Sequence, residues 1–131
     1  MRAVAVLILA VLVSGCGKSG PPRAGGKPVA YWVQALRDPD PKVRKTAAFK
    51  LGNVGSADPA ALPALRGALQ DRDAAVRCEV ILALLKCGPE AEQAVPTLAE
   101  IRRRDPNARV RDYAARALAK IQGEKSSPPP P

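Results

Sequence analysis

The sequence predicts an all-α protein built from three consecutive helix pairs, on three observations. The dipeptide Val-Arg recurs with its valine at positions 43, 76 and 110, which gives intervals of 33 and 34 residues. Acidic or amide residues recur five and three places before each valine, and apolar residues recur four, eight and eleven places after it. The middle of the chain is rich in Ala, Leu, Val and Arg, while prolines and glycines cluster towards both ends. Such a period is typical of stacked helical units that bury their apolar faces against their neighbours.

Each copy is predicted to contain two helices, A and B. The A helices are expected at about residues 29–37, 61–70 and 94–104, with a proline in the first turn of the second and third. The B helices are expected to be capped by side chains that accept first-turn N–H groups, namely Asp40, Asp73 and Asn107. Gly55 and Gly88 are expected to end the first two B helices as left-handed caps. No β-strand is expected.

The repeated residues resemble HEAT repeats, especially the short type found in phycobilisome-lyase-like proteins. Residues 36–55 read LRDPDPKVRKTAAFKLGNVG, with the family's Leu-Gly and final Gly in place. The second copy departs from the family at Leu85, and the third departs at Ala119 and Gln122 and carries Arg102 where Leu would stand. The resemblance covers residues 29–122, in units of about 29–56, 57–89 and 90–122. It implies a short α-solenoid of about three HEAT-like helix pairs, a fold whose members mostly bind proteins and in a minority assist enzymes.

The same resemblance gives the recurring charged residues a structural role. In the family, the arginine after the core valine pairs with aspartates of the turn between helices, often across neighbouring repeats. A planar guanidinium suits this bidentate contact, and lysine would not. The ladder implied here consists of Asp38, Arg44, Asp71, Arg77, Asp105 and Arg111. Because these residues recur in every copy, they do not form the singular polar site that catalysis needs.

The first residues resemble a bacterial lipoprotein signal. A basic start precedes an unbroken apolar run over residues 3–13, which is shorter than the ~20 residues a membrane-spanning helix needs. The run ends in Val-Ser-Gly-Cys, with the cysteine at Cys16, which resembles the lipobox at which a signal peptidase cuts. The resemblance implies a signal peptide over residues 1–15, a lipidated Cys16 and a lipid anchor in a membrane of the bacterial cell envelope. Gly17 in place of Asp favours the periplasmic face of the outer membrane over the inner membrane.

Two segments outside the repeats are predicted to lack a core. Residues 16–28 are rich in Gly, Pro and Lys, a composition expected of a flexible tether that follows the lipidated cysteine. Residues 123–131 end in four prolines, which favour an extended polyproline II conformation, so this segment is expected to be a disordered tail. The repeat domain is therefore expected to occupy residues 29–122.

Composition excludes several classes of function. The chain has no histidine, so triads and metal sites that require histidine cannot form within it. Aromatic residues make up 3% of the sequence, too few for a base-stacking surface. Although the net charge is +9, an exported and lipid-anchored chain rarely meets nucleic acid, so no nucleic-acid partner is expected. No cofactor and no metal are expected either.

Cys78 and Cys87 are not expected to form a disulfide. Nine residues on one helix separate their Cα atoms by roughly 13 Å, beyond the ~7 Å limit for a disulfide. Cys87 occupies a predicted core position, where it would act as a small hydrophobe. Cys78 is expected to be partly exposed, and a reactive thiol there is the alternative interpretation.

The candidate binding face lies on the B helices, two, six and nine places after each valine. These positions point away from the predicted core at 100° per residue, on the side that the family makes concave. They are Lys45, Phe49 and Gly52, then Cys78, Leu82 and Leu85, then Asp112, Arg116 and Ala119. An apolar centre with a charged edge is typical of a contact site. The alternative is that Phe49 and Leu82 are buried against neighbouring helices.

These observations together predict a membrane-anchored lipoprotein that acts as a non-catalytic protein-interaction or scaffold module in the bacterial envelope. Its expected partner is another envelope protein, whose identity the sequence does not give, and homo-oligomers through the exposed end repeats are a further option. One alternative is an accessory or lyase-like subunit that positions a substrate, with Cys78 involved. Another is a binder of anionic envelope polymer or lipid through Arg102, Arg103 and Arg104.

The lipid anchor can be tested directly. Cys16→Ser removes the only sulfur that the lipobox resemblance would modify, so the chain should remain unprocessed or move to the soluble export fraction. Fractionation of cells that express each form measures this, with Cys78→Ser as the matched control that should stay in the membrane fraction. Retention of Cys16→Ser in membranes at the wild-type level and at the size of the processed chain would contradict the lipobox interpretation.

Overall fold

The computed structural model describes residues 23–126, which form a short β-hairpin followed by three helix pairs. The elements in chain order are β1 Arg23–Ala24, β2 Lys27–Pro28, α1 Val29–Ala35, α2 Pro41–Val54, α3 Ala61–Ala68, α4 Ala74–Lys86, α5 Val95–Arg104 and α6 Ala108–Ser126. Short 3₁₀ segments, Gly55–Ala57 and Gly88–Ala94, connect the pairs. The predicted signal peptide, Cys16, the start of the tether and residues 127–131 of the tail lie outside the described residues.

The predicted caps begin the three B helices, α2, α4 and α6. In each case a short polar side chain accepts a backbone N–H of the first turn, which would otherwise have no partner in the helix. The bonds are Asp40 to the N–H of Lys42 at 2.9 Å, Asp73 to that of Val76 at 3.0 Å, and Asn107 to that of Arg109 at 2.9 Å. The three predicted helix pairs and the N-caps of their B helices are therefore confirmed, while the third A helix begins at Val95 in place of residue 94.

Glycine supplies the backbone conformation at the ends of the first two B helices. Gly55 follows α2 with φ +54° and donates its N–H to the Leu51 carbonyl. Gly88 follows the last residue of α4 and its cap, with φ +61°. Residues that carry a side chain rarely adopt such positive φ angles. Glycine at these two positions therefore allows the backbone to turn sharply out of each helix.

The core is a row of B helices, each covered by the A helix of its own pair. α2 packs on α4 and α4 packs on α6, while α1, α3 and α5 pack on α2, α4 and α6 respectively. The apolar residues eight places after each repeat valine, Leu51, Leu84 and Leu118, are buried in this core as predicted. Leu65 and Leu98 of the A helices are fully buried against them. Residues 29–126 thus form an all-α stack of three helix pairs.

The first two B helices approach each other closely at Gly52. A Cβ atom at Gly52 would lie 2.7 Å from the Cβ and 2.8 Å from the Cα of Ala83. No side chain fits at that separation, because neither atom of Ala83 can move away without its helix. Gly52 therefore sets the distance between α2 and α4.

The prediction of no strand and of a flexible tether as far as residue 28 is wrong for residues 23–28. Arg23 pairs with Pro28 and Ala24 with Lys27 in a small antiparallel hairpin, closed by Gly25 and Gly26. Both glycines have positive φ, +58° and +77°, which a two-residue hairpin turn favours. The hairpin is held on the helices because Ala24 is buried and its carbonyl accepts the indole N–H of Trp32 at 2.7 Å.

The predicted boundary of the tail also differs. α6 continues to Ser126, four residues beyond the expected end of the repeat domain. Ile121 anchors its last core-facing turn, and the residues after it have no helix-breaking proline before position 128. Among the helices of residues 23–126, none is long and apolar enough to cross a membrane.

The close approach at Gly52 makes a stability prediction. Gly52→Ala should lower the free energy of unfolding by about 1–2 kcal/mol, because an overpacking cost near the upper end of about 1–3 kcal/mol outweighs the gain of about 1 kcal/mol in helix propensity. Gly67→Ala is the matched control in α3, where an added Cβ would meet nothing within 4 Å. That control should be neutral or stabilising in thermal or denaturant unfolding. Equal effects of the two substitutions would contradict the proposed helix contact.

Candidate interaction surface

Two bidentate ion pairs join neighbouring repeats along the turn between the A and B helices. Arg44 donates from Nε and Nη2 to the two carboxylate oxygens of Asp71, at 2.8 and 3.1 Å. Arg77 donates in the same way to Asp105, at 2.8 and 3.0 Å. This is the contact between repeats that the family resemblance implies. Planar fork-to-carboxylate pairing fixes orientation as well as distance, so these pairs hold one repeat against the next.

The environment of the pairs explains why the residues recur. Arg44 is only 4% exposed, and hydrogen bonding to Asp71 raises the pKa of its guanidinium above the ordinary value. Its remaining nitrogen, Nη1, donates to the backbone carbonyls of Asp38 and Pro39 at 2.8 and 3.1 Å. A buried guanidinium without these acceptors would be costly. The donors of Arg44 are therefore occupied by contacts that hold the repeats together.

The row two and six places after each valine forms a surface that we call the open face. It consists of Lys45 and Phe49 of α2, Cys78 and Leu82 of α4, and Asp112 and Arg116 of α6. Phe49 is 42% exposed, and Leu82 and Cys78 are half-buried. Asp112 and Arg116 are exposed and pair with each other at 3.0 Å. The alternative in which Phe49 is buried is wrong.

The residues nine places after each valine were predicted to belong to this face, and that prediction is wrong for the first two repeats. Gly52 is buried against Ala83, and Leu85 packs against the hydrophobic core. The physical reason is that successive B helices lie against each other along this row, which helix periodicity alone does not reveal. Only Ala119, in the last repeat, is exposed there, because the described chain has no following repeat to cover it.

A lysine that the sequence analysis did not predict lies against the aromatic ring of the open face. The ammonium of Lys86 lies 4.2 Å from the centroid of the Phe49 ring and donates to Asn53 Oδ1 at 3.2 Å. The ring therefore carries a cation on one side, an arrangement worth about 0.5–1 kcal/mol at an exposed site. Lys86 belongs to the next repeat, so sequence spacing within one repeat gives no signal for this contact.

A depression of about 320 Å³ lies beside Leu82, between α4 and α6. Lys45, Cys78, Arg109 and Tyr113 line it among other residues. Arg109 stacks near the Tyr113 ring, 5.7 Å from its centroid, and contact with Tyr113 raises the pKa of that guanidinium. The depression thus combines an aromatic wall with two cationic side chains and one acidic side chain, that of Glu79. Arg109 and Tyr113 were not predicted as site residues.

Cys78 and Cys87 are free thiols in this arrangement. Cys87 is buried, with Sγ 3.3 Å from the Ala83 carbonyl, and Cys78 is half-buried at the depression. Burial raises the pKa of the Cys78 thiol, against the opposing effects of Arg109 and Arg77. A thiol with a raised pKa is a weak nucleophile at neutral pH. Within residues 23–126 no cluster of Cys, Asp or Glu could hold a metal ion.

The Arg-rich end of α5 is partly neutralised. Arg103 and Arg104 pair with Glu100 at 2.6 and 2.9 Å, and the hydrogen bond from Arg103 lowers the pKa of Glu100. Arg102 is exposed at the position where the second repeat buries Leu69. The last A helix therefore ends in a charged surface in place of an apolar one.

Comparison with protein families agrees with this geometry. The family model for HEAT repeats matches residues 29–119, from the start of α1 into α6. This chain belongs to the HEAT-repeat family. No curated protein matches it significantly. Proteins of this family generally serve as protein-interaction scaffolds, which is consistent with a non-catalytic module.

The contribution of the ladder to stability can be measured with one substitution and a matched control. Asp105→Asn leaves the guanidinium of Arg77 without a charged partner, at a pair whose side chains are 11% and 5% exposed. The free energy of unfolding should fall by about 2–4 kcal/mol. Asp112→Asn breaks an exposed pair within α6 and should cost less than about 0.5 kcal/mol. Similar losses for both variants would show that the ladder contributes no more than a surface ion pair.

Proposed function

We propose that this HEAT-repeat protein is a membrane-anchored lipoprotein that serves as a non-catalytic protein-interaction module in the bacterial envelope. Its open face would bind a segment of another envelope protein. The support for the anchor is the N-terminal sequence alone, an apolar run followed by the lipobox-like residues that end at Cys16. The periplasmic face of the outer membrane is the location that Gly17 favours. The repeats are further assigned to the short, phycobilisome-lyase-like type on the motif over residues 36–55.

The single observation that carries the binding role is the exposed apolar centre of the open face. Phe49 is one of two large hydrophobic residues that stand out as exposed in the described chain, the other being Tyr31. Leu82 and the depression beside it extend the apolar surface from α2 towards α6. A cluster of an aromatic and a leucine that is rimmed by polar groups is typical of the centre of a protein interface.

The charges around this centre favour a particular class of partner. Lys45, Lys86 and Arg109 lie around Phe49, Leu82 and the depression. Two acidic residues lie there too, but Asp112 is paired with Arg116, so the three cations face Glu79 alone. A segment with apolar side chains flanked by Asp or Glu would complement this surface. The expected partner is therefore an acidic, apolar segment of another protein.

The two alternative functions have weaker support. An accessory or lyase-like role would use Cys78, but burial raises the pKa of its thiol and thereby weakens it as a nucleophile. Binding of anionic polymer through the Arg-rich end of α5 would compete with the pairing of Arg103 and Arg104 to Glu100. Binding of a protein segment on the open face requires neither a reactive Cys78 thiol nor the loss of the ion pairs with Glu100.

Substitution on the open face tests this function. The double variant Phe49→Ser, Leu82→Ser should lose partner capture when the full chain is crosslinked in cells and the captured proteins are identified by mass spectrometry. The helical content should be unchanged. Thermal stability should fall only slightly, because substitution of an exposed residue such as Phe49 usually costs less than about 0.5 kcal/mol. Most of the small fall should come from Leu82, which is half-buried.

Tyr31→Ser is the matched control, since it removes an exposed aromatic residue from α1 that lies off the open face. It should leave capture unchanged. Capture that survives the double variant but is lost in Tyr31→Ser would place the interface on the A-helix side and contradict the proposal.

A further inference from the structure

The ladder between repeats leaves one basic group and one acidic group without an ionic partner, at opposite ends of the stack. Arg44 and Arg77 each use the same three nitrogens in the same way. Nε and Nη2 bind the aspartate of the following repeat, and Nη1 donates to the carbonyl of Asp38 or Asp71 in the same repeat at 2.8 Å. The three repeats therefore contain three such arginines, each with a guanidinium fork, but only two Arg–Asp contacts between repeats. We call each of these contacts a joint.

Arg111 is the third fork. Its Nη1 donates to the carbonyls of Asp105 and Pro106 at 2.7 and 3.3 Å, which repeats the anchoring of the other two arginines. Within residues 23–126 no carboxylate meets its Nε and Nη2, the two nitrogens that bind aspartate elsewhere in the ladder. Arg111 is a half-buried residue, and its guanidinium is thus held in place to receive a carboxylate.

Asp38 is the matching acceptor at the other end. Its Oδ1 accepts the N–H of Asp40 at 2.8 Å, just as Asp71 accepts that of Asp73 and Asp105 that of Asn107, each at 2.9 Å. The other two aspartates, oriented by this same turn, accept an arginine fork from the preceding repeat. In the described part of the chain no repeat precedes Asp38, and no cation pairs with its carboxylate.

The helix surfaces beside these two groups match as well. On α2, Arg44, Ala48 and Gly52 form the row on which α4 packs, and both small residues are buried. On α6, the equivalent row is Arg111, Ala115 and Ala119, in which Ala115 is half-buried and Ala119 exposed.

At the other end of the stack, the first repeat is also covered less completely than the later repeats. Val43 is half-buried, whereas Val76 and Val110 in the later repeats are fully buried. The last repeat thus presents the surface that receives a following repeat, and the first presents part of the surface that a preceding repeat would cover.

We propose that two copies of this chain associate head to tail, with the Arg111 fork of one copy bound to Asp38 of the next. The joint continues the ladder and brings the start of the second copy's α2 against the Arg111 and Ala115 turn of α6. Pairing of two identical ends would oppose Arg111 to Arg111 or Asp38 to Asp38, so like charges disfavour it. A contact between different surfaces does not close on itself in a dimer and can extend to further copies.

Two features limit the strength of this joint. The hairpin covers the second half of α2, where a Cβ at Gly25 would lie 2.9 Å from Lys50 Nζ, so the contact is confined to the ladder edge. The net charge of +9 on every copy opposes association. Association is therefore expected to be weak and to increase with protein concentration, as on a crowded surface.

Charge exchange tests the joint. The full chain, in a density-matched non-ionic detergent with at most one chain per micelle, is followed by sedimentation equilibrium over a concentration series in reducing buffer. Asp38→Arg alone and Arg111→Asp alone should each weaken association about tenfold or more, because each creates a joint of like charges. An equimolar mixture of the two variants should restore it, since every mixed joint again pairs Arg with Asp.

The controls are matched in charge and in local structure. Asp58→Arg removes an aspartate that likewise accepts the N–H two residues on, from Ala60 at 2.8 Å, but that lies off the ladder. Arg102→Asp makes the same charge change as Arg111→Asp in an exposed residue of the same repeat. Both should associate like the unaltered chain. Where circular dichroism shows that Arg111→Asp is unfolded, Arg111→Lys, which keeps the charge and loses the fork, should weaken association in its place.

Three results would overturn the proposal. These are an unaltered chain that stays monomeric at the highest soluble concentration, association that the ladder variants do not change, and folded single variants whose mixture does not associate. None of them bears on the open face, so they leave the proposed function to its own test.

Discussion

The buried bidentate pair between an arginine of one repeat and an aspartate of the next is the constraint on which the stack depends. A guanidinium that is 4% exposed requires acceptors for its donors, and Arg44 finds them in Asp71 and in the carbonyls of its own repeat. The carboxylate is itself held by the N–H of Asp73, so neither partner is free to rotate. Such a contact constrains how each helix pair packs on the next, and Gly52 approaches Ala83 closely in that arrangement.

This constraint separates the structural residues from those available for function. Positions that recur in all copies are used by the core, the caps and the ladder, so recurrence itself marks them as structural. Positions that differ between copies are free to bind, and the apolar ones among them, Phe49 and Leu82, lie on one surface. The cations around them come from three helices, which explains why no single repeat carries a recognisable binding motif. In this solenoid the candidate site is assembled from residues of all three repeats.

The sequence was sufficient where the determinants are local or periodic. The period of 33 or 34 residues, the three N-caps and the core leucines all follow from spacing along one chain, and the structure confirms them. It failed where the outcome depends on the packing of one repeat on another. Gly52 and Leu85 point away from the core of their own helix but towards a neighbouring one.

The same limit applies to the contacts that were missed. The lysine over Phe49 belongs to the following repeat, and the Arg109 side chain reaches the depression from α6. The hairpin was missed for a related reason. Two-residue strands carry almost no periodic signal, and they are stabilised by a carbonyl that accepts the Trp32 indole N–H eight residues away. Its Gly-Gly turn was the one local signal present.

The most direct test of this account is a double-mutant cycle at one joint. Thermal unfolding of the full chain would be compared for Arg44→Gln, Asp71→Asn, the double variant and the unaltered protein. If the repeats are held together by this pair, each single variant should lose most of the stability that the double variant loses, because the second substitution removes a group that already lacks its partner. Additive losses, with the double variant destabilised by the sum of the two, would show that Arg44 and Asp71 act independently and would contradict the central role of the ladder.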